Sequence, residues 1–185
     1  LVHSLKNFHL PSFLSALNEF FEVEVRDLNL SDSDARREAR TILQQKGVES
    51  HTLALYAGGQ SLYYLTLRDP GTMDRFFDEK ASKALRILDV SILHRLILEH
   101  LLQITPEAQE RQLNLKYVKN FDEPFESVQS GDFQLAFLMN STRMSEVRDV
   151  ANAGEKMPQK STYFYPKLLT GLVLNKIVDG ESIVD

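Results

Sequence analysis

The 185-residue sequence predicts a single α+β domain over 1–185, with helices covering a mixed β-sheet. Its length suits one domain with a substantial core. Hydrophobic residues make up 43% of the chain and charged residues 25%, both ordinary values for a globular protein. Segments with alternating apolar residues are interspersed with segments of helical periodicity, and this order of strands and helices favours the α+β class.

Two helices and a strand are predicted in the first quarter of the chain. Apolar residues recur at helical spacing over 10–20, and apolar and charged residues alternate over 21–26 as in a half-buried strand. A second helix follows, and Gly47 should end it. Arg36 and Arg37 lie beside Glu38 in that helix, so we interpret them as part of a solvated polar face.

Residues 52–67 predict a β-hairpin. The dipeptide Gly58-Gly59 can supply the positive φ angles of a two-residue turn between two apolar runs. That turn would place Leu55 opposite Leu62. Since both faces of the hairpin are largely apolar, we expect it inside a larger sheet rather than at an edge.

The segment 89–104 predicts the most buried helix, because apolar residues cover nearly all of its sides. The helix that follows later should turn Met144 and Val150 toward the core. Beyond the buried helix we expect, in order, a strand, a short helix, a strand and a helix, at 113–117, 124–129, 133–139 and 142–153.

Composition excludes several classes of function. The net charge of −5 argues against nucleic acid as the main partner, because phosphate binding needs a basic face. The absence of cysteine excludes thiolate nucleophiles and zinc–thiolate sites. No apolar run approaches the ~20 residues that span a bilayer, so we expect no membrane segment.

Among the five histidines, His94 is the best functional candidate. No pair has the spacing of a metal-binding helix, so no metal site is predicted. Arg95 and Glu99 have the spacing of a helical ion pair, which needs no function of its own. With His94 they are candidates to support, from a distance, a binding site in the loop 154–171. A hydrogen-bonded structural histidine is the alternative.

The loop 154–171 combines lysines, hydroxyls, prolines and consecutive aromatic residues without strand or helix periodicity. Two hypotheses follow. Its cations and hydroxyls would bind an anionic group; alternatively, its aromatic residues anchor the end of the chain to the core while its lysines remain in water. The candidate anion-binding residues are Lys156, Lys160, Ser161, Thr162 and Lys167, and the candidate aromatic anchors are Tyr163, Phe164 and Tyr165.

The string from Gly154 to Lys167 resembles the C-terminal signature of a bacterial and archaeal domain-of-unknown-function family, family ten-fifteen. The run from Ile92 to Glu99 resembles a second signature of that family, in the same order and spacing. The resemblance covers essentially the whole chain, as the C-terminal half of a longer pattern. It implies a bacterial or archaeal cytoplasmic protein about twice this length.

The resemblance also implies a partner and a chemistry. The N-terminal half would be the main partner and would carry a stretch similar to that of free-serine kinases in the ParB-like superfamily. ATP and Mg²⁺ would then be cofactors of the full-length protein, and a homo-oligomer stays open.

We therefore carry two functional hypotheses. One is the C-terminal part of a small-molecule kinase-like enzyme, inactive as the isolated piece because no metal-holding carboxylate and base are evident in it. The other is a non-catalytic scaffold that docks onto the N-terminal half or a second subunit.

Overall fold

Four antiparallel strands form one sheet in the computed structural model, which describes residues 1–158 and 161. The strands are ordered β1-β3-β2-β4, so the predicted hairpin does lie at the centre of the sheet. The α+β class is confirmed. Every pairing in the described sheet is antiparallel, which corrects the expected mixed sheet. The strands are β1 (Phe21–Asp27), β2 (Thr52–Tyr56), β3 (Ser61–Leu67) and β4 (Ala136–Met139).

Helices cover this sheet. The longest continuous helical segment after residue 80 begins as an α-helix at Asp89–Ser91 and continues with π-type hydrogen bonding through Ile92–Leu101. We call the two parts the central helix. A 3₁₀ helix spans Pro70–Phe76. None of the helices in the described ranges is long and apolar enough to cross a membrane. The α-helices are α1 (Leu10–Asn18), α2 (Ser33–Lys46), α3 (Lys83–Arg86), α4 (Asp89–Ser91), α5 (Pro106–Glu110), α6 (Glu123–Gln129) and α7 (Met144–Asn152).

Two buried clusters lie on opposite faces of the sheet. Leu53 and Leu55 of β2 belong to the cluster that includes α1 and the central helix. Ala54 and Tyr56, which alternate with them, belong to the cluster that includes α2 and α6. The sheet is therefore a middle layer with helices on both sides, and the central helix covers one of its faces.

The hairpin is present, but its predicted register is wrong by one residue. Tyr56 pairs with Leu62, whereas a two-residue turn would have paired it with Ser61. Gly58 and Gly59 do have positive φ angles of 92° and 72°. The connection is longer than predicted, and the Tyr56 hydroxyl donates a hydrogen bond to the Gly59 carbonyl at 2.9 Å. Because a one-residue shift exchanges the faces of a strand, this loop decides which side chains enter each core.

The strand predicted at 113–117 is wrong. Val2 lies between this segment and the start of β4, forming single antiparallel bridges with Leu115 and Leu135. Leu113 is 59% exposed, so only part of the apolar pattern is buried. The second strand is correspondingly shorter than 133–139, because its first residues pair with Val2 instead of continuing the ladder.

The inward side of α7 was predicted correctly at Val150 and wrongly at Met144. Val150 is fully buried in a small cluster with Leu88 and Val90, but Met144 is 71% exposed. The helix contacts the domain through α3 and the central helix near its C-terminal end. Met144, at the start of the helix, is therefore on its solvent side, which the apolar spacing alone did not reveal.

Arg36 corrects the interpretation of α2 as having a fully solvated polar face. It is only 8% exposed. Its Nε donates to the Leu30 carbonyl at 2.6 Å and its Nη1 to the Glu126 carboxylate at 2.9 Å. The guanidinium also lies 5.7 Å from the centre of the Phe125 ring. Arg36 thus links α2 to α6, whereas its neighbour Arg37 is exposed.

The prediction of a strongly buried central helix is confirmed. Its buried apolar residues are Val90, Ile92, Leu93, Leu96, Ile97 and Leu98. It is not apolar on every side, however. His94 and Glu99 are half-buried and Arg95 is exposed. These three side chains lie on the part of the helix that the core does not cover.

Candidate small-molecule site

A cavity of about 490 Å³ lies beside the exposed part of the central helix. His94, Arg95 and Glu99 line it from the helix. Tyr117 lines it from the segment after α5, and Lys156 from the start of the 154–171 loop. Four of the residues selected from the sequence therefore meet at one concave surface, which we call the His94 cavity.

The most specific polar contact in the His94 cavity joins an imidazole to a phenol. Nε2 of His94 lies 3.4 Å from the Tyr117 hydroxyl oxygen. Burial, followed by the nearby Arg95 cation, lowers the pKa of His94, and burial raises the pKa of Tyr117. Both side chains are therefore uncharged at neutral pH. In the consistent arrangement the phenol donates and Nε2 accepts, which leaves the ring proton on Nδ1.

Gln109 contributes to the wall of the cavity from α5. Its side-chain amide donates to the Ile104 carbonyl at 2.9 Å and to the His94 carbonyl at 3.4 Å. Gln109 belongs to α5 and is almost fully buried. These contacts attach α5 to the central helix, so the backbone that carries His94 has a fixed neighbour.

Arg95 forms the predicted ion pair with Glu99, with Nη1 2.9 Å from the carboxylate. Its guanidinium also lies 5.5 Å from the centre of the Phe77 ring. Because the pair is partly exposed, its contribution to stability is small. Its main effect is to neutralise Arg95 within the wall. Among the described residues Lys156 has no ion-pair partner, so its charge is available to a ligand.

The beginning of the 154–171 loop is attached to the domain by Glu155. Its carboxylate accepts hydrogen bonds from the backbone N–H of Ser82, at 3.1 Å, and from the Ser82 hydroxyl. Met157 packs against the cluster that contains Val150. Glu155 and Met157 thus attach the start of this segment to the domain, and Lys156, which lies between them in the sequence, lines the cavity.

Of the remaining loop residues that were predicted to bind a ligand or to anchor the chain, the structure describes only Ser161. The Ser161 hydroxyl donates to the Pro158 carbonyl at 2.6 Å, and the Ser161 carbonyl accepts from Thr142 at 2.9 Å. Its hydroxyl is therefore engaged within the loop. The other predicted residues lie outside the described ranges: Lys160, Thr162, Tyr163, Phe164, Tyr165 and Lys167.

Tyr117, Gln109 and Glu155 were not predicted as site residues. Tyr117 ends the segment 113–117, which was predicted as a strand, and Gln109 lies between that segment and the buried helix. Both reach His94 across more than a dozen residues, at separations of 23 and 15 positions. No local spacing encodes such contacts, so only the tertiary structure reveals them.

The described side chains do not fit a metal centre. No three His, Asp or Glu side chains in the described ranges group closely enough to hold a metal ion. Glu99, a carboxylate of the His94 cavity, is already paired with Arg95. Any Mg²⁺–ATP site implied by the resemblance would therefore need residues other than these.

Comparisons with known proteins do not add a relative: no family model matches the chain, and searches of curated proteins and of solved structures return no match.

Proposed function

We propose that this chain is the ligand-binding part of a small-molecule enzyme, and that the His94 cavity binds a molecule with an anionic group near Lys156. The observation that carries the proposal is the convergence of His94, Tyr117 and Lys156 on one cavity. A volume of about 490 Å³ lies within the range of small-molecule sites, roughly 300–1,000 Å³. The lining also combines apolar walls with a few polar groups, as such sites do.

The chemistry available there is proton transfer. A neutral imidazole can accept a proton from a substrate hydroxyl through Nε2, which becomes N–H while the substrate oxygen becomes the nucleophile. When the substrate binds, its hydroxyl group would replace the Tyr117 hydroxyl as the partner of Nε2. The Tyr117 hydroxyl would then donate a hydrogen bond to the substrate oxygen. Lys156 would fix the orientation by pairing with the anionic group.

The finer proposal is a kinase-like phosphoryl transfer in a cytoplasmic protein of bacteria or archaea. It rests on the resemblance to family ten-fifteen and to free-serine kinases, with the N-terminal half as the partner. In that version His94 would remove the proton of the acceptor hydroxyl. ATP and Mg²⁺, which would supply the phosphoryl group, would be held outside the described residues.

The scaffold hypothesis has one supporting observation. Glu155 and Met157 attach the loop to the domain, as expected for a structural anchor. Attachment does not conflict with binding, because it also holds Lys156 at the cavity. The two hypotheses differ in whether a small molecule stabilises the protein.

A thermal-stability screen tests the proposal. Phosphate esters, nucleotides, hydroxy acids and amino acids would be added to the wild-type chain. A ligand present at 100 times its Kd stabilises the native state by about 2.7 kcal/mol, a readily measured shift in Tm. The shift should disappear in His94→Gln and Lys156→Gln but persist in Lys83→Gln, an exposed lysine on α3. A screen in which no class of compound changes Tm would favour the scaffold.

A further inference from the structure

A second cavity, of about 840 Å³, adjoins the His94 cavity. The two cavities share Phe77, Leu85, Arg95 and Glu99 as lining residues. The shared wall therefore consists largely of the Arg95–Glu99 ion pair and the aromatic ring beneath it. A ligand that extends across these shared residues would contact both cavities.

Unpaired cations line the second cavity. Arg75, from the last turn of the 3₁₀ helix, and Lys80, from the connection to α3, both line it and are exposed. Within 1–158 and 161 neither has an ion-pair partner. Of the carboxylates that line the cavity, Glu99 pairs with Arg95 and Glu155 accepts from Ser82. Asp78 is the remaining one.

We infer that the second cavity binds a phosphate group of the same ligand that occupies the His94 cavity, so that the ligand is a phosphorylated hydroxy acid. This inference rests on the proposed function. An arginine and a lysine suit a dianionic phosphate, because guanidinium geometry matches its oxygens. The single Lys156 at the other end suits a carboxylate. The hydroxyl groups between the two ends would contact His94 and Tyr117.

The charges predict opposite effects for two kinds of substitution. Removing the cations with Arg75→Gln and Lys80→Gln should weaken binding of the phosphate end. Asp78→Asn should strengthen it, because an unpaired carboxylate in the same cavity repels a phosphate. All three side chains are exposed, so none of these changes should alter Tm appreciably.

The test compares three matched compounds by isothermal titration calorimetry. 6-Phosphogluconate carries a phosphate and a carboxylate at opposite ends, gluconate carries only the carboxylate, and glucose 6-phosphate only the phosphate. We expect wild-type protein to bind 6-phosphogluconate at least about tenfold more tightly than either other compound, a difference of about 1.4 kcal/mol. The preference over gluconate should vanish in the Arg75→Gln/Lys80→Gln double variant and remain in Lys83→Gln.

The outcomes separate this inference from the proposed function. If gluconate and 6-phosphogluconate bind equally, and both need Lys156, the second cavity has no role and the proposed function stands. If the double variant keeps the wild-type preference, the phosphate lies elsewhere and the inference is overturned. If none of the three compounds binds, the ligand class is wrong; the proposed function then fails only if the wider screen also finds no binder.

Discussion

The hydroxyl oxygen of Tyr117 lies 3.4 Å from Nε2 of His94, and burial keeps both groups uncharged at neutral pH. This contact joins the central helix to the segment that follows α5. It also gives the imidazole the tautomer in which Nε2 is free of hydrogen and can accept a proton. The relationship has consequences for both stability and binding.

The first prediction concerns pH. The pKa of His94 is lowered in the folded protein relative to its ordinary value of 6.5. Folding therefore favours the neutral form. Its contribution to stability is complete above about pH 6.5 and is lost as the pH falls toward and through the folded pKa. Urea unfolding at pH 7.5, 6.5 and 5.5 should show a smaller loss of stability at low pH for His94→Gln than for wild type.

His9 provides the control for this experiment. It is exposed, and its ring contacts only the neighbouring Ser12 hydroxyl at 2.9 Å. His9→Gln should therefore retain the wild-type dependence on pH. If the free energy of unfolding falls equally with pH in the wild-type protein and in His94→Gln, His94 is not held neutral by its surroundings.

The second prediction concerns the central helix. Leu96 is completely buried in the larger core. Leu96→Ala should lower the free energy of unfolding by about 2–5 kcal/mol, through lost burial and the cavity that remains. Leu113→Ala, at an exposed leucine, should change it by less than about 0.5 kcal/mol. Chemical denaturation measures the free energy of unfolding of both variants. Similar losses of stability in the two would mean that the central helix is not part of the core.

The periodicity of the chain predicted most helices and all four strands of the described sheet, because burial imposes a local spacing on apolar residues. It did not predict the hairpin register, which depends on one additional loop residue between Tyr56 and Leu62. It also failed at 113–117, where pairing with Val2 depends on a contact across more than 110 positions. Long-range pairing leaves no local signature.

The candidate site shows the same division. His94, Arg95 and Glu99 were found because a polar group interrupts an apolar helix, and Lys156 because it belongs to an unusual loop. Their meeting at one cavity could not be predicted, since it depends on how the segment after Asn152 returns to the central helix. Arg36 was predicted wrongly for a different reason. Its position among charged residues of α2 predicted a solvated side chain, but the side chain is buried.

The third prediction concerns Arg36. Arg36→Ala removes the donor that satisfies the Leu30 carbonyl and also the contact with Glu126. A buried acceptor left without its partner costs about 1–3 kcal/mol. Arg37→Ala, one position away on the exposed side, should cost less than about 0.5 kcal/mol. Urea unfolding of the two variants compares them directly. Indistinguishable stabilities would mean that Arg36 does not link α2 to α6.

The fourth prediction concerns the attachment of the loop. Glu155 accepts hydrogen bonds from the backbone and the side chain of Ser82. Glu155→Ala should lower the free energy of unfolding by about 1–3 kcal/mol, since hydrogen bonds to a charged acceptor are lost. It should also weaken ligand binding, because Lys156 would no longer be held at the cavity. Glu49→Ala, at an exposed position, is the control for stability. A variant as stable as wild type would argue that Glu155 does not anchor the loop.

The most direct test of the central claim is the NMR signal of the His94 ring nitrogens in protein with isotopically labelled histidine. The compound that raises Tm most would be added to saturation. We predict that the His94 resonances shift while those of His9 do not, and that the same concentration leaves them unchanged in Lys156→Gln. If the compound binds without moving the His94 signal, or moves it equally in Lys156→Gln, the His94 cavity is not the site that we propose.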